Sequence, residues 1–527
     1  MTRRALTLWS SLVGVVTALV TLATAQVLSA ALGGVGDPLL AVGSLLVDLA
    51  PPELKTLVID LFSTGDKLFL FLSIAVVLLA LSVIVGVLQL RKPPLGLLVL
   101  VGVGAVALLA VVTRAGVTPL SPLPILGGLA TGILLLRVLI GRLSAWRDAR
   151  QPIGLQAPGT RNWAEPQHPA SIERRRFLVL ALVAGISAAV VGSAARTMSA
   201  ASSAVTAVRK AILLPAAVAP APELAVTSTL DVAGISPFVT PTADFYRIDT
   251  ALQVPAVDPT TWKLRITGMV EQEIEIGFDE LLALPLEEHY VTLACVSNEV
   301  GGNLIGNALW RGYPIRELLA RARPTAGADM VLSTSIDGFT ASTPLSILTD
   351  ADTAALLAVG MNGALLPLDH GFPVRMVVPG LFGYVSATKW VVELKVTTFA
   401  KDMGYWTSRG WSAKGPVKLS SRIDTPLDGS TQKAGRLAIA GVAWAQHTGI
   451  SRVEVRVDDG AWQEATLANR VTPDAWLQWS YDWAATSGMH RVTVRAVDSN
   501  GRTQTAAEAP PAPDGSTGVH GISVRVS

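Results

Sequence analysis

The stretch VTLACVSNEVGG, residues 291–302, contains Cys295, which is the only cysteine in the 527-residue chain. The overlapping segment HYVTLAC predicts a strand that ends at this cysteine. A single cysteine cannot form an intrachain disulfide, and by itself it cannot build a zinc or iron–sulfur site, because those sites take several protein ligands. Two interpretations remain open. Cys295 is a small buried hydrophobic residue, or its thiolate binds a soft or high-valent metal centre.

The composition divides the chain into two halves. Half of all residues are hydrophobic, 16% are charged and the mean hydropathy is +0.47. Leu, Val, Ala and Gly dominate residues 5–200, whereas the mixed pattern of a soluble protein begins near residue 221. The net charge is only +2 and the second half has no Lys/Arg-rich patch with interleaved aromatic residues, so we expect no nucleic-acid partner.

Five segments are long and apolar enough to cross a bilayer, because about 20 helical residues span its hydrocarbon core. They are residues 6–32, 68–90, 94–113, 121–141 and 177–196. The sequence therefore predicts an N-terminal transmembrane block with five spans, in contact with membrane lipid.

Basic residues predict the orientation of this block. They cluster at 3–4, 91–92 and 142–176, whereas the segment 37–67 carries more acidic than basic residues. By the positive-inside rule the N-terminus is cytoplasmic, and residues from about 200 onward face the exterior of the cell membrane.

The segment RRRFL, residues 174–178, opens the fifth predicted span and is similar to a twin-arginine export signal. Ordinary positive-inside anchoring explains the same arginines equally well, so both interpretations stay open.

The predicted spans lack the residues that redox or proton chemistry needs. No histidine precedes His168, and the spans contain neither cysteine nor carboxylates. This excludes a bis-histidine haem held by this block and argues against a proton relay. We interpret the block as an anchor or a docking surface for a partner, with quinone binding left open.

The exterior half has three predicted parts. Residues 201–240 are rich in Ala, Pro, Ser and Thr and predict a linker. Residues 241–415 mix strands and helices without a regular βαβ repeat, which predicts an α+β domain. Residues 416–527 contain short alternating strands separated by turns, such as RVEVRVDDGAWQEATL, and predict an immunoglobulin-like β-sandwich.

Within the α+β part we predict helices in three segments. They are GFDELLALP (277–285), YPIRELLARAR (313–323) and the apolar run ADTAALLAVGMNG (351–363).

Two further segments carry residues suited to chemistry. LDHGFPVRMVVPG, residues 368–380, places His370 and Arg375 around a rigid Gly-Phe-Pro, and GYVSATKWVVELKV, residues 383–396, contains Lys389. Arginine and lysine at loop ends can hold a phosphate. From the residues alone, His370 can equally cap a turn and Lys389 can snorkel to the surface.

Taken together, these segments resemble the sulfite oxidase family of molybdopterin-dependent oxidoreductases, in a membrane-anchored bacterial form. The resemblance extends from about residue 240 to 527 and also includes FYRIDTALQVPAVDP, ALWRGYPIRELL, DGFTASTPL and GVAWAQHTGISRVEVRVDDGAW. It implies an α+β molybdopterin-binding domain of sulfite oxidase type, followed by an immunoglobulin-like domain of the kind that dimerises in that family.

The resemblance also implies roles for individual residues. Cys295 would give molybdenum its protein thiolate, and Arg247 would attract an oxyanion substrate beside the metal. The implied cofactor-binding residues are His370, Arg375, Lys389, Asn298, Ser386 and Thr388. The implied reaction is oxygen-atom transfer at the molybdenum cofactor.

This sequence departs from the family pattern at two places. Arg-Ile-Asp, residues 247–249, stands where Arg-Asn-His is common, and the segment YWTSRGWSAKGPV, residues 405–417, places Ser408 near the position of a family tyrosine. A sulfoxide-type reductase on the same cofactor and a cofactor-free binding or scaffold module therefore remain alternatives.

Implied partners follow from the same resemblance. We expect a small oxyanion or sulfoxide substrate, no haem in this chain, a separate electron-transfer protein or quinone, and a possible homodimer through the sandwich.

Overall fold

The computed structural model describes residues 2–32, 36–51, 66–113, 117–148 and 205–527, and single positions at 54, 58, 61, 175, 178, 179 and 182. It divides into two compact units, Met1–Ala204 and Val205–Ser527. The predicted fifth span, 177–196, and the segment RRRFL lie outside the described residues except for single positions.

The described part of the first unit is helical. Its helices are α1 (Arg3–Ala31), α2 (Pro38–Leu49), α3 (Asp66–Arg91), α4 (Leu95–Val112) and α5 (Leu123–Asp148). Among the described residues four helices are long and apolar enough to cross a membrane, namely all except α2, and they coincide with the first four predicted spans. Helix α2 was not predicted, and Asp37 caps it by accepting hydrogen bonds from the N–H groups of Leu39 and Leu40.

Helices α1 and α3 approach each other through small residues. A Cβ atom added to Gly14 would collide with the carbonyl oxygen of Ser82, and one added to Gly86 would collide with that of Ser10. Small residues allow apolar helices to pack backbone against backbone, and such close packing contributes to helix association in a lipid environment.

Between residues 263 and 397 the second unit contains ten strands and four short α-helices. The strands are β1 (Lys263–Gly268), β2 (Ile274–Gly277), β3 (Glu287–Ala294), β4 (Ile305–Pro314), β5 (Met330–Ser335), β6 (Thr340–Pro344), β7 (Leu356–Met361), β8 (Ala364–Leu365), β9 (Arg375–Val377) and β10 (Val391–Thr397). The helices are α6 (Phe278–Leu282), α7 (Ile315–Ala322), α8 (Leu345–Thr349) and α9 (Gly383–Ser386).

These strands form two sheets. One has the order β3-β4-β7-β8 with β9 paired to β7, and all its pairs are antiparallel. The other has the order β2-β1-β10-β5-β6, in which β1 and β10 run parallel. This mixed arrangement is an α+β architecture with a shared core in which Trp310, Trp390 and Phe372 are fully buried.

The helix predicted within 351–363 is wrong. Residues Leu356–Met361 form the buried strand β7, which is followed by an Asn362-Gly363 turn into β8. Strand β7 pairs with β4 on one side and with β9 on the other. A short apolar run buried on both faces shows no alternation, so its periodicity cannot distinguish a strand from a helix.

The second half of this unit is a β-sandwich, as predicted. The strands are β11 (Ser420–Thr425), β12 (Thr431–Gln432), β13 (Gly435–Trp444), β14 (Ile450–Val457), β15 (Gln463–Glu464), β16 (Thr466–Leu467), β17 (Leu477–Ala485), β18 (Gly488–Asp498) and β19 (His520–Val526). One sheet has the order β11-β13-β17-β16 and the other β12-β19-β18-β14-β15. Fully buried side chains such as Trp479, Ile439 and Val494 fill the space between the sheets.

Candidate functional site

A pocket in the α+β domain brings together residues that lie far apart in the sequence. It encloses about 910 Å³ of empty space, part of it open to solvent, and its lining includes Tyr246, Asp249, Cys295, Arg375 and Lys389. Cys295 directly follows β3, Arg375 begins β9 and Lys389 precedes β10.

Cys295 is a buried free thiol at the wall of this pocket. Its N–H group donates to the carbonyl oxygen of Leu304, which fixes the loop after β3. Burial raises the pKa of the thiol above its usual value, and hydrogen bonds from Ser297 only partly oppose this effect. The thiol is therefore protonated at neutral pH, and a bound metal ion would be the agent that deprotonates it.

No group of three or more His, Cys, Asp or Glu side chains is arranged to hold a metal ion within the described residues. A metal at Cys295 must therefore receive further ligands from a non-protein group. This fits a cofactor that brings its own donor atoms, as a pterin dithiolene does.

Arg375 is a buried cation without a carboxylate partner among the described residues. Its side chain lies 4.9 Å from the ring of Trp310, and its nitrogens contact only carbonyl oxygens, at 3.3–3.5 Å. Burial lowers the pKa of Arg375 to about 10, so the guanidinium still carries its charge at neutral pH. A buried charge is costly unless it is paired, which makes this guanidinium suitable for an anionic ligand such as a phosphate.

Lys389 is also buried, but it has a carboxylate partner. Its Nζ lies 3.0 Å from Asp249 Oδ2 and 3.0 Å from the carbonyl oxygen of Asp369. The same carboxylate oxygen accepts a hydrogen bond from Arg247 Nε at 3.0 Å. Burial lowers the pKa of Lys389 to about 8, while the negative charge of Asp249 opposes that shift. Asp249 therefore bridges two of the cations that the sequence singled out.

His370 carries an unsatisfied ring nitrogen. Its Nε2 lies 3.2 Å from the carbonyl oxygen of Thr242, and because a carbonyl only accepts, Nε2 must carry the proton. The Nδ1 atom is buried and has no hydrogen-bond partner in the described part of the chain. Burial, with a further contribution from Arg375, lowers the pKa of His370 to about 4, so the imidazole is neutral at neutral pH. Its Nδ1 can accept a hydrogen bond from a bound group.

The structure brings only some of the predicted site residues to the pocket wall. Cys295, Arg375 and Lys389 line it, and His370 lies behind them, with its carbonyl oxygen 3.3 Å from Arg375 Nη1. Arg247 does not line the pocket, and its side chain is 37% exposed while Asp249 holds its Nε.

Three other predicted residues form hydrogen bonds within the protein. Asn298 Oδ1 accepts from the N–H group of Leu304 at 2.8 Å. Ser386 Oγ lies within hydrogen-bond distance of two backbone carbonyl oxygens, which share its single proton, and Thr388 Oγ1 lies 2.7 Å from Ser333 Oγ. None of the three lines the pocket, and these contacts shape the loops around it.

The sequence did not point to several residues that line the pocket. Ser335 Oγ is buried without a hydrogen-bond partner in the described chain, and no local pattern distinguishes it. Trp406 and Trp411 line the pocket and lie within the segment that drew attention to Ser408. Ser408 itself is not among the lining residues, and its Oγ donates to the carbonyl oxygen of Tyr405 at 2.8 Å.

Comparisons with known families divide the second unit in the same way. Residues 251–406 match the model of the oxidoreductase molybdopterin-binding domain, and residues 420–494 match that of the bacterial Ig domain.

Individual relatives agree with the first of these matches. Mitochondrial sulfite oxidase of Rattus norvegicus is 32% identical over 272 residues, which cover 44% of this chain and 49% of the relative. Nitrate reductase [NADH] 1 of Arabidopsis thaliana is 26% identical over 332 residues, which cover 51% of this chain and 36% of the relative. The chain thus spans about half or less of the length of these curated relatives.

One solved structure is also similar. The sulfane dehydrogenase SoxCD from Paracoccus pantotrophus gives a TM-score of 0.48 at 23% sequence identity, and the match covers 55% of this chain and 81% of that chain.

Proposed function

We propose that this chain is a membrane-anchored molybdenum enzyme, because residues 251–406 match the model of the oxidoreductase molybdopterin-binding domain and mitochondrial sulfite oxidase is similar over 272 residues. It transfers one oxygen atom to or from a small sulfur oxyanion or a sulfoxide. The observation that carries this proposal is the buried Cys295 thiol in one pocket with Arg375, a buried cation that has no carboxylate partner in the described chain.

The residues of the pocket suit a pterin cofactor with a phosphate. Cys295 would hold the metal, and Arg375 and Lys389 would bind the phosphate. His370 Nδ1 would accept a hydrogen bond from the pterin. When bound, the cofactor supplies two-electron oxygen-atom chemistry, and the protein contributes position and charge.

Oxygen atoms, electrons and protons balance in both directions of the proposed reaction. Oxidation of a sulfur oxyanion adds one oxygen atom from water and releases two electrons and two protons. Reduction of a sulfoxide takes up two electrons and two protons and releases water. Relatives named sulfite oxidase and nitrate reductase support oxygen-atom transfer as the reaction class. We propose that the electrons pass to or from a separate electron-transfer protein or a quinone.

The apolar helices and the basic residues support a location of this enzyme in the cell membrane. Four described helices suit a membrane anchor. The distribution of Arg and Lys favours a cytoplasmic N-terminus and a catalytic domain on the exterior face. The segment RRRFL favours export of this domain after it has folded around its cofactor. The sandwich is a candidate homodimer interface, which sedimentation of the purified chain would test.

The experiment is metal and pterin analysis of the purified full-length chain, together with the variant C295S. The wild type should contain about one molybdenum per chain, and C295S should lose turnover by at least about a hundredfold, since a hydroxyl is a poor ligand for a soft metal. The variant S346A, at an exposed position on α8, serves as the control. Metal-free and pterin-free wild type from a molybdenum-replete host would refute the proposal in favour of a cofactor-free module.

A further inference from the structure

The segment that begins at Cys295 is a short loop closed by its own hydrogen bonds, and residues 295–304 are called the cysteine loop here. The Cys295 N–H group donates to the carbonyl oxygen of Leu304 at 2.9 Å, and the Leu304 N–H group donates to Asn298 Oδ1 at 2.8 Å. The Asn298 N–H group donates to the carbonyl oxygen of Cys295 at 3.1 Å. Because these bonds connect the two ends of the loop, a displacement of the loop would also displace Cys295.

The sandwich contacts the far side of the cysteine loop through two of its strands. In β11, Arg422 Nη1 donates to the carbonyl oxygen of Gly302 at 2.8 Å. In β19, the ring of His520 lies so close to Gly301 that a Cβ atom added to this glycine would collide with it. The loop that presents Cys295 to the pocket is therefore fixed partly by the neighbouring domain.

Arg422 is itself held in place from several directions. Its side chain is only 10% exposed, and its Nε donates to Asp424 Oδ1 at 2.6 Å. Its Nη2 donates to Ser236 Oγ at 2.9 Å, and its guanidinium carbon lies 5.9 Å from the centre of the Trp476 ring. A planar guanidinium donates to several acceptors at fixed angles, so these contacts determine where Nη1 points.

The hydrogen bond to Gly302 comes from a charged donor, and such bonds are stronger than bonds between neutral groups. Arg422 does not line the pocket, whereas Cys295 does. Any effect of Arg422 on the pocket must therefore pass through the cysteine loop.

We propose that Arg422 is a positioning residue, which holds the cysteine loop in the place that presents the Cys295 sulfur to the pocket. This inference rests on the proposed function, in which that sulfur is a metal ligand, and it extends the site to a residue of the sandwich.

The first test measures how fast the Cys295 thiol reacts, because it is the only thiol in the chain. The full-length, detergent-solubilised chain, purified from a host that makes no molybdenum cofactor, is mixed with 4,4′-dithiodipyridine. This reagent forms a mixed disulfide with the thiol and releases one coloured thiopyridone. R422K keeps a positive charge beside Asp424 but lacks the fork that reaches Gly302. Its thiol should react at least about tenfold faster than that of the wild type, since loss of one hydrogen bond from a charged donor favours loop opening by this factor.

The matched control is S236A, which removes the acceptor of Arg422 Nη2 and leaves the contact between Nη1 and Gly302. It should leave the reaction rate unchanged. Equal rates in the wild type and R422K would overturn the proposal.

Urea distinguishes opening of the cysteine loop from a general loss of stability. Local opening exposes little surface, so the rate in R422K should depend only weakly on urea below the unfolding transition. A rate that rises with urea as steeply as the equilibrium constant of global unfolding would show that Arg422 stabilises the whole unit without positioning the loop, and it would overturn the proposal.

The second test uses absorption spectra of the molybdenum-loaded chain. The bands that C295S removes belong to the bond between the sulfur and the metal. R422K should shift these bands, because the sulfur approaches the metal from a changed position, and S236A should leave them in place. Unshifted bands in R422K would contradict the inference.

Folding and cofactor content separate the possible failures. If R422K does not fold, as judged by its thermal denaturation, the double variant R422M/D424N is measured in its place, because it leaves neither charge buried without a partner. If the wild type from a molybdenum-replete host contains no molybdenum and no pterin, the proposed function fails, but the thiol reaction still decides whether Arg422 positions the cysteine loop. If the cofactor is present and R422K behaves like S236A, this inference alone fails.

Discussion

At the scale of single residues, the charge state of Lys389 depends on two opposing effects. Burial removes water from the ammonium group and favours its neutral form, and the carboxylate of Asp249 at 3.0 Å favours the charged form. Burial is the larger effect, so the folded chain releases this proton near pH 8. An unfolded lysine releases it only near pH 10.4, by about its model-peptide value.

This difference predicts a stability that rises with pH in the cofactor-free chain. Between about pH 8 and 10 the unfolded state binds one proton more than the folded state, so the free energy of unfolding should increase by about 1.4 kcal/mol per pH unit from this group. In K389M this contribution should be missing. Denaturant unfolding, followed by tryptophan fluorescence at several pH values, measures how the free energy of unfolding changes with pH in each protein. An equal change with pH in the wild type and K389M would contradict the assigned pKa.

At the scale of elements, strand β3 places Cys295 in the pocket, and its position depends on a buried hydrogen-bond network. Thr292 is fully buried in this strand, and its Oγ1 donates to Asn307 Oδ1 at 3.1 Å. The same hydroxyl accepts from the N–H group of Trp476 at 2.8 Å, and the Thr292 N–H donates to the carbonyl oxygen of Asp474. Because Trp476 and Asp474 precede β17, the network connects strand β3, which ends directly before Cys295, to the sandwich.

The substitution T292V should destabilise the second unit. Valine has nearly the same shape but cannot hydrogen-bond, so Asn307 Oδ1 and the Trp476 N–H would each lose a buried partner, at a cost of about 2–3 kcal/mol in the free energy of unfolding. The control is T466V, at an exposed position of β16, which should change the free energy of unfolding by less than about 0.5 kcal/mol. Denaturant titration measures both, and similar losses would show that the network does not hold β3.

At the scale of the whole second unit, a loop of the sandwich docks on the α+β domain. It lies between β18 and β19, and Ser516 Oγ donates to the carbonyl oxygen of Asn298 at 2.6 Å. The carbonyl oxygen of Pro513 accepts from the N–H group of Ser412 at 2.9 Å. Gly515, with φ of +96°, lies against the ring of Phe382. The loop therefore supports the segment that follows Cys295.

The substitution G515A tests this docking. An added Cβ would lie 2.6 Å from the Phe382 ring, so we expect a steric cost in addition to the backbone strain of a positive φ. Gly501 has a φ of +81° and no atom within 4 Å of an added Cβ. The control variant G501A therefore measures the backbone strain of a positive φ without a steric clash. Thermal and denaturant unfolding should show G515A to be less stable than G501A by at least about 1 kcal/mol. Equal stabilities would mean that the loop is not closely docked.

The sequence by itself determined the features that depend on neighbouring residues. Apolar length alone gave the four described membrane-compatible helices, and alternation with Asp-Gly turns gave the sandwich strands. The cysteine, arginine and lysine that line the pocket were visible as unusual residues in apolar segments. Within the described residues, the segment of β7 was misassigned as a helix, because burial on both faces of this strand removes the periodic signal.

Only the tertiary structure decided how these residues meet. Lys389 and Asp249 are 140 positions apart, and no local pattern connects them. Other features also depend on how the elements of this domain pack around the pocket. They are the exposure of Arg247, the buried His370 Nδ1 without a hydrogen-bond partner in the described chain, and the tryptophans that line the pocket. Short-range propensities fix strands, helices and turns, whereas the charge of a pocket is a sum over side chains that only the folded chain brings within a few ångströms of one another.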